Sequence, residues 1–201
     1  MKSKYLFLTN LLPYPTDNGG KIKTMNTLVL LKEMYDIDLV CFVEDDKDRS
    51  AIFNLEKIGI RVFCVKKKLR YHAHFISTIR EVIGSLFSKL PYIIRKYESK
   101  EMRYLLKKLI RETQYAGVYV DHLQLYVFAD LFQKRGGKVI RCILDQHNVE
   151  TDIIKRRIDN TKNIFTRIFL RLEHVKLMHF ERQACSKVDL VLAITDNDRE
   201  R

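Results

Sequence analysis

Six short apolar runs recur along the chain, separated by stretches whose apolar residues return every three or four positions. The runs are Lys4–Asn10, Asp36–Val43, Arg61–Val65, Gly117–Val120, Val139–Asp145 and Val188–Ile194. In Leu39-Val40-Cys41-Phe42-Val43 apolar side chains fill consecutive positions, as in a parallel strand covered on both faces. Between the runs, Gly20–Met34 places Ile22, Met25, Leu28, Val29 and Met34 on one helical face. Glu98–Thr113 carries Met102, Leu105, Leu106, Leu109 and Ile110 at helical spacing. A long amphipathic pattern covers Thr151–Ala184, with Ile164, Ile168, Leu172 and Val175 on one face. Tyr71–Leu90 interrupts the alternation as an insertion between the third and fourth strands. The pattern predicts an α/β fold: a Rossmann-like, doubly wound, mainly parallel sheet of about six strands with helices on both faces. The dinucleotide fingerprint Gly-x-Gly-x-x-Gly is absent.

At 201 residues, 46% of them hydrophobic, the chain suits one domain with a substantial core. Its net charge of +12 is concentrated rather than spread. Between Lys66 and Arg111 there are 13 Lys or Arg against Glu81, Glu98 and Glu101, so this quarter of the chain supplies +10. Such a block suits an anionic partner: a membrane surface, a nucleic acid or a phosphorylated substrate. Cys41, Cys64 and Cys142 fall in strand-like runs and Cys185 in a helical one, without the close pairing of zinc sites. They read as buried, inert thiols in a reducing compartment. The N-terminal apolar run is too short for a signal peptide, and no stretch reaches the ~18 uncharged residues of a spanning helix. The expected location is cytoplasmic, with any membrane contact peripheral, on the inner face of the cell membrane.

The first strand runs into Leu12-Pro13-Tyr14-Pro15-Thr16-Asp17-Asn18-Gly19-Gly20-Lys21 and then a helix. A helix N-terminus offers unsatisfied N–H groups and partial positive charge to an anion, and paired glycines permit φ > 0 and close approach. After the fifth strand comes Leu144-Asp145-Gln146-His147-Asn148-Val149-Glu150. Near the end lies Phe180-Glu181-Arg182-Gln183-Ala184-Cys185-Ser186-Lys187-Val188-Asp189, leading into Leu190–Asp198. In this order, and over essentially the whole chain, these motifs resemble the N-terminal half of GT-B glycosyltransferases of the family-four type. The resemblance implies that residues 1–194 form an acceptor-binding domain. Residues 195–201 would begin a helix leading towards a C-terminal donor domain that holds the nucleotide-sugar, so that this chain alone would be inactive. It further implies hexosyl transfer with retention of configuration, in polysaccharide or glycolipid synthesis. The sequence itself shows no metal site, and no cofactor is expected, the nucleotide-sugar being a substrate.

Carried over residue by residue, Gly19 and Gly20 match the glycine loop near the donor phosphates and the reacting sugar. Preorganised N–H donors there would stabilise a departing diphosphate. Asp121 and His122 follow the fourth strand where the family places a polar catalytic residue; either could orient a hydroxyl or take a proton. Lys21, His147 and Asn148 fall on the acceptor or active-site loops. Simpler roles stand beside these. Asn148 could cap the next helix with Glu150 in its first turn, Asp145 could orient His147, and Glu181 could pair with nearby Arg182 or Lys187. Asp45-Asp46-Lys47-Asp48 imitates a metal motif, but acidic charge opening a helix accounts for it.

Within the insertion, Phe75, Ile76, Ile79, Val82, Ile83, Leu86, Phe87 and Leu90 recur at helical steps, with Lys66, Lys67, Lys68 and Arg70 before them and Lys89, Arg95 and Lys96 after. Segment 66–97 therefore reads as an interfacial helix on anionic lipid, contacting it through Lys66, Lys67, Lys68, Phe75, Ile79 and Phe87, or as a helix packed on the sheet with a basic rim. A non-catalytic basic module is the alternative function, binding nucleic acid through Tyr71, Tyr92, Tyr97 and Tyr104 or binding anionic membrane. No nucleic-acid motif accompanies those tyrosines.

Overall fold

A computed structural model describes residues 2–44, 49–67, 82–132 and 140–200. Strands β1 (Lys4–Thr9), β2 (Asp36–Val43), β3 (Arg61–Lys66), β4 (Gly117–Asp121), β5 (Arg141–Gln146) and β6 (Leu190–Ala193) form one sheet in the order β3-β2-β1-β4-β5-β6. Every neighbouring pair is parallel. This is the doubly wound Rossmann-like order, and chain direction across the sheet reverses between β1 and β4. Ligands of such sheets bind in the crevice outside the carboxyl ends of the strands at that point.

Alternate strand positions feed two separate cores. Leu6, Leu8, Val40, Phe42, Val118, Val120 and Leu144 point to one face. There they meet α4 (Lys100–Glu112), a 3-10 helix (Leu123–Leu131), α5 (Glu150–Asn160) and α6 (Ile164–Lys187). Phe7, Leu39, Cys41 and Tyr119 point to the other, beneath α1 (Gly19–Met34) and α2 (Arg49–Lys57). Two short helices, α3 (Tyr92–Arg95) and α7 (Asp196–Arg199), and a helical stretch over residues 82–86 are also described. Gly117 is required by packing: a Cβ there would lie 2.4 Å from the Tyr5 ring. The four cysteines are unbridged, and burial pushes the Cys142 thiol up to about 12, in keeping with inert thiols.

The α4 stripe is buried as its spacing predicts, through Met102, Leu106 and Leu109. Two other helices turn differently. On α1 the buried residues are Thr24 and Leu28, whereas Ile22, Val29 and Met34 are exposed, because Thr24 is drawn inward by a hydrogen bond to Asp121. The pattern over Thr151–Ala184 divides into α5 and α6, since Asn163 caps α6 by accepting from the Thr166 N–H. On α6, Ile164, Ile168, Leu172 and Val175 are exposed, and Leu170, Glu173, Leu177, Glu181 and Ala184 are buried. Two carboxylates thus occupy the core-facing side, each held by hydrogen bonds. Glu173 accepts from Ser85 Oγ at 2.8 Å, from the Tyr92 N–H and from Lys176, which ties the chain around 85–92 to α6.

Of the expected membrane-contact residues, Lys68, Phe75 and Ile79 lie outside the described residues, as does the acidic run 45–48. Lys66 ends β3 and is exposed; Lys67 donates to the Glu98 carbonyl; Phe87 is 90% exposed. Among the described residues no helix is long and apolar enough to cross a membrane.

Beyond β5 the α1-side face of the sheet is bare: Leu190, Leu192 and Ile194 are all exposed. Leu144→Ala, in a fully buried site on the opposite face, should therefore lower unfolding free energy by about 2–5 kcal/mol. Leu192→Ser should change it by less than about 0.5 kcal/mol. Urea denaturation of the two variants checks the contrast.

Candidate active-site cluster

Asp121 is the last residue of β4, in register with Thr9 of β1, so its carboxyl stands at the switch-point crevice. It is completely buried, and four groups surround it. Thr9 Oγ1 and Thr24 Oγ1 each donate to Oδ2 at 2.8 Å. His147 Nε2 lies 2.7 Å from Oδ1, and His122 Nδ1 lies 3.2 Å from Oδ2. One carboxylate therefore fastens β1, α1, β4 and the loop after β5 together.

His122 adopts φ 96°, a left-handed conformation that side chains with a Cβ rarely take. Its Nδ1 is 2.5 Å from the Asp121 carbonyl oxygen, and its ring stacks on His147 with centroids 3.8 Å apart. Such backbone conformations cost of order 1–3 kcal/mol and persist where surrounding contacts over-determine them. Here the hydrogen bonds of Asp121 and the His147 ring supply that constraint. The His122 side chain remains 24% exposed against 8% for His147, so His122 presents the cluster to the crevice.

Beside this cluster, Asp145 Oδ1 binds Lys23 Nζ at 2.5 Å and Oδ2 accepts from Tyr119 Oη at 2.6 Å. Burial, followed by the Asp145 hydrogen bond, pushes the Tyr119 phenol far up, so it stays a donor. Asp145 does not orient His147: the separation is 3.8 Å, and the imidazole is held by Asp121 instead. Lys23, rather than Lys21, is the lysine of α1 that enters the site. Lys21 Nζ instead pairs with Asp17 at 3.0 Å.

The glycine loop is simpler than its sequence suggests. Neither Gly19 nor Gly20 has positive φ; both open α1 as ordinary helical residues, capped by Asn18 Oδ1 accepting from the Lys21 N–H. A Cβ at Gly19 would meet nothing within 4 Å, so the start of α1 is open to a ligand. Asn148 is exposed and does not cap α5. The cap comes from Glu181, which accepts from the Glu150 and Thr151 N–H groups at 2.9 and 3.1 Å and from Gln146 at 2.6 Å. Among the described residues no cation partners Glu181: it accepts from the Gln146 side-chain amide and from two N–H groups at a helix start, where a carboxylate also complements the dipole. Asn148 lines a groove of about 400 Å³ with Asp152, Lys155, Arg156 and Asp198.

The titrating groups are shifted in opposed directions. Burial alone would raise Asp121, but the hydrogen bonds and charge of His122 and His147 hold it well below the usual carboxylate range. Burial would likewise lower His122; the Asp121 hydrogen bond and charge, with Asp145 behind them, raise it above the ordinary imidazole value. Glu150 is raised by burial and by Glu181, against a hydrogen bond from Gln124 at 3.0 Å. Ligand-capable atoms of Asp121, His122 and His147 all lie within 4.8 Å of one another, a set able to hold a metal ion. Protein donors already occupy both Asp121 oxygens, and those bonds account for the closeness without an ion.

Sequence reasoning singled out Asp121, His122 and His147 from their places after strands, and the fold brings all three together. It missed Thr9, Lys23, Thr24, Tyr119 and Gln124, which carry no motif and reach the site only through strand register and the turn of α1. No family model matches this sequence, and no curated protein is detectably similar to it.

A raised His122 stabilises the fold below its unfolded value near 6.5, and that contribution is lost as pH rises through the folded value. A lowered Asp121 contributes above its unfolded value near 3.8 and loses that contribution in stronger acid. Stability from the pair should therefore peak between about pH 4 and 6.5. In Asp121→Asn, burial should win and the His122 pKa should fall below about 6.5; proton-detected titration of the ring reads this directly.

Proposed function

We propose that this chain is the acceptor-side half of a glycosyltransferase, moving a sugar from a nucleotide-sugar to a glycan or lipid-linked acceptor. The observation that supports the reading is the strained, partly exposed His122, held by buried Asp121 in the switch-point crevice beside the open start of α1. In such a transfer the acceptor oxygen bonds to the anomeric carbon, the bond to the diphosphate breaks and the acceptor proton must leave.

Burial makes Asp121 a positioning residue, because none of its surface can touch a substrate. His122, with a raised pKa, suits donation to a sugar hydroxyl or a departing phosphate better than proton removal. Gly19 and Gly20 offer backbone N–H groups to the same charge. His147 braces His122, and Lys23 balances Asp145. Peripheral membrane contact belongs to the same reading, since a lipid-linked acceptor is met at a surface.

Titration of the chain with glycans, lipid-phosphate glycosides and nucleotide-sugars should perturb the His122 and His147 rings and the amides of Gly19–Lys21. His122→Asn removes the imidazole and should weaken that binding roughly tenfold. Perturbation by oligonucleotides with no response to any glycan or nucleotide-sugar would overturn the proposal in favour of a nucleic-acid module.

A further inference from the structure

We infer that the outward face of α6 is a docking surface for an anionic lipid bilayer. The inference rests on the membrane-surface part of the proposed function and is independent of sugar transfer. Ile164, Ile168, Leu172 and Val175 follow one another at steps of four, four and three, with Phe165 beside them, 80% exposed. At 3.6 residues per turn this stripe lies roughly opposite the buried line Leu170, Glu173, Leu177, Glu181 and Ala184. The helix is thus apolar on two sides, and only one of them meets the protein core.

Charge identifies what the second side suits. The acidic residues of α6 are Glu173 and Glu181, and both are buried and hydrogen-bonded. Its other charged residues are Arg167, Arg171, Lys176, Arg182 and Lys187, and of these Arg171, Arg182 and Lys187 are exposed. An apolar stripe flanked only by cations matches an anionic interface, where the stripe enters the acyl boundary and each basic residue adds about 1 kcal/mol. A second copy of the chain would instead place like charges together. The stripe itself is aliphatic, and with Phe165 as the one exposed aromatic beside it the face gives nucleic-acid bases little to stack on.

A second element lies beside this face. Lys176 Nζ donates to the Ser85 carbonyl at 2.7 Å, and Ser85 Oγ donates to Glu173, so helical residues 82–86 are docked on α6. That segment carries exposed Ile83 and Leu86, and exposed Phe87 follows it directly.

The test is co-sedimentation of the chain with phosphatidylcholine vesicles, with or without phosphatidylglycerol. Binding should require phosphatidylglycerol and be released by salt. Ile168→Asp with Leu172→Asp should abolish it, and Arg171→Glu with Arg182→Glu should weaken it roughly thirtyfold. Both pairs are exposed, so the melting temperature should be unchanged. Binding to neither vesicle, or equally to both, would overturn the inference together with the membrane-surface reading. Anionic binding that survives both α6 variants but is lost in Phe87→Ser would overturn this inference alone. So would an Ile168/Leu172 variant that dissolves a dimer while the parent ignores vesicles.

Discussion

A single buried carboxylate, that of Asp121, joins the two halves of the sheet at the point where its winding reverses. Thr9 reaches it from β1, Thr24 from α1 and His147 from the loop after β5. A charge with no exposure would be strongly destabilising without partners, because desolvation disfavours the ionised form by several kcal/mol. The surrounding donors reverse that preference, and the depressed Asp121 pKa is the consequence. The same bonds fix the unusual backbone of His122. Geometry of the crevice and stability of the sheet therefore depend on one set of contacts, and neither can be altered alone.

The same device recurs at each buried acid among the described residues. Asp38 is gripped by Arg61 and Tyr115 at the amino end of the sheet, and Asp145 by Lys23 and Tyr119. Glu173 ties the chain around 85–92 to α6, and Glu181 caps α5 from α6. Each connects elements distant in sequence through donors that satisfy the carboxylate oxygens, as burial of a charge requires. Burying acids while leaving basic residues exposed also sharpens the surface charge beyond what composition implies. On α6 it leaves the exposed charge wholly basic.

Strand content and order of alternation were legible because parallel strands covered on both faces must be apolar at consecutive positions, as Leu39–Val43 is. Helix faces were less legible. The apolar stripe of α4 turns inward because nothing competes with it, whereas α6 turns its stripe outward to seat Glu173 and Glu181. Periodicity identifies a face without saying which of two faces the core takes. The site was half visible for a related reason. Asp121, His122 and His147 stand at strand ends, where position alone is suggestive, while Lys23 and Thr24 look like any polar residues of a surface helix. Only the register of α1 over β4 and β5 brings them in.

Opposed shifts on one sheet edge also divide the chemistry the crevice could perform. Asp121 is held ionised and His122 is biased towards its cationic form, so the pair favours donating hydrogen bonds through His122 over taking a proton. Glu150, at the start of α5, moves the other way, raised by burial and by Glu181 while it feels the charge of both histidines. Groups whose environments drive their pKa values apart are the usual basis for assigning acid and base roles. Under the sugar-transfer reading, donation to developing negative charge falls to His122. Proton removal falls to Glu150 or to a group brought by the donor's side of the crevice. The fixed Asp121–His122 unit then acts by electrostatic preorganisation, which requires the rigidity that its four-way anchoring supplies.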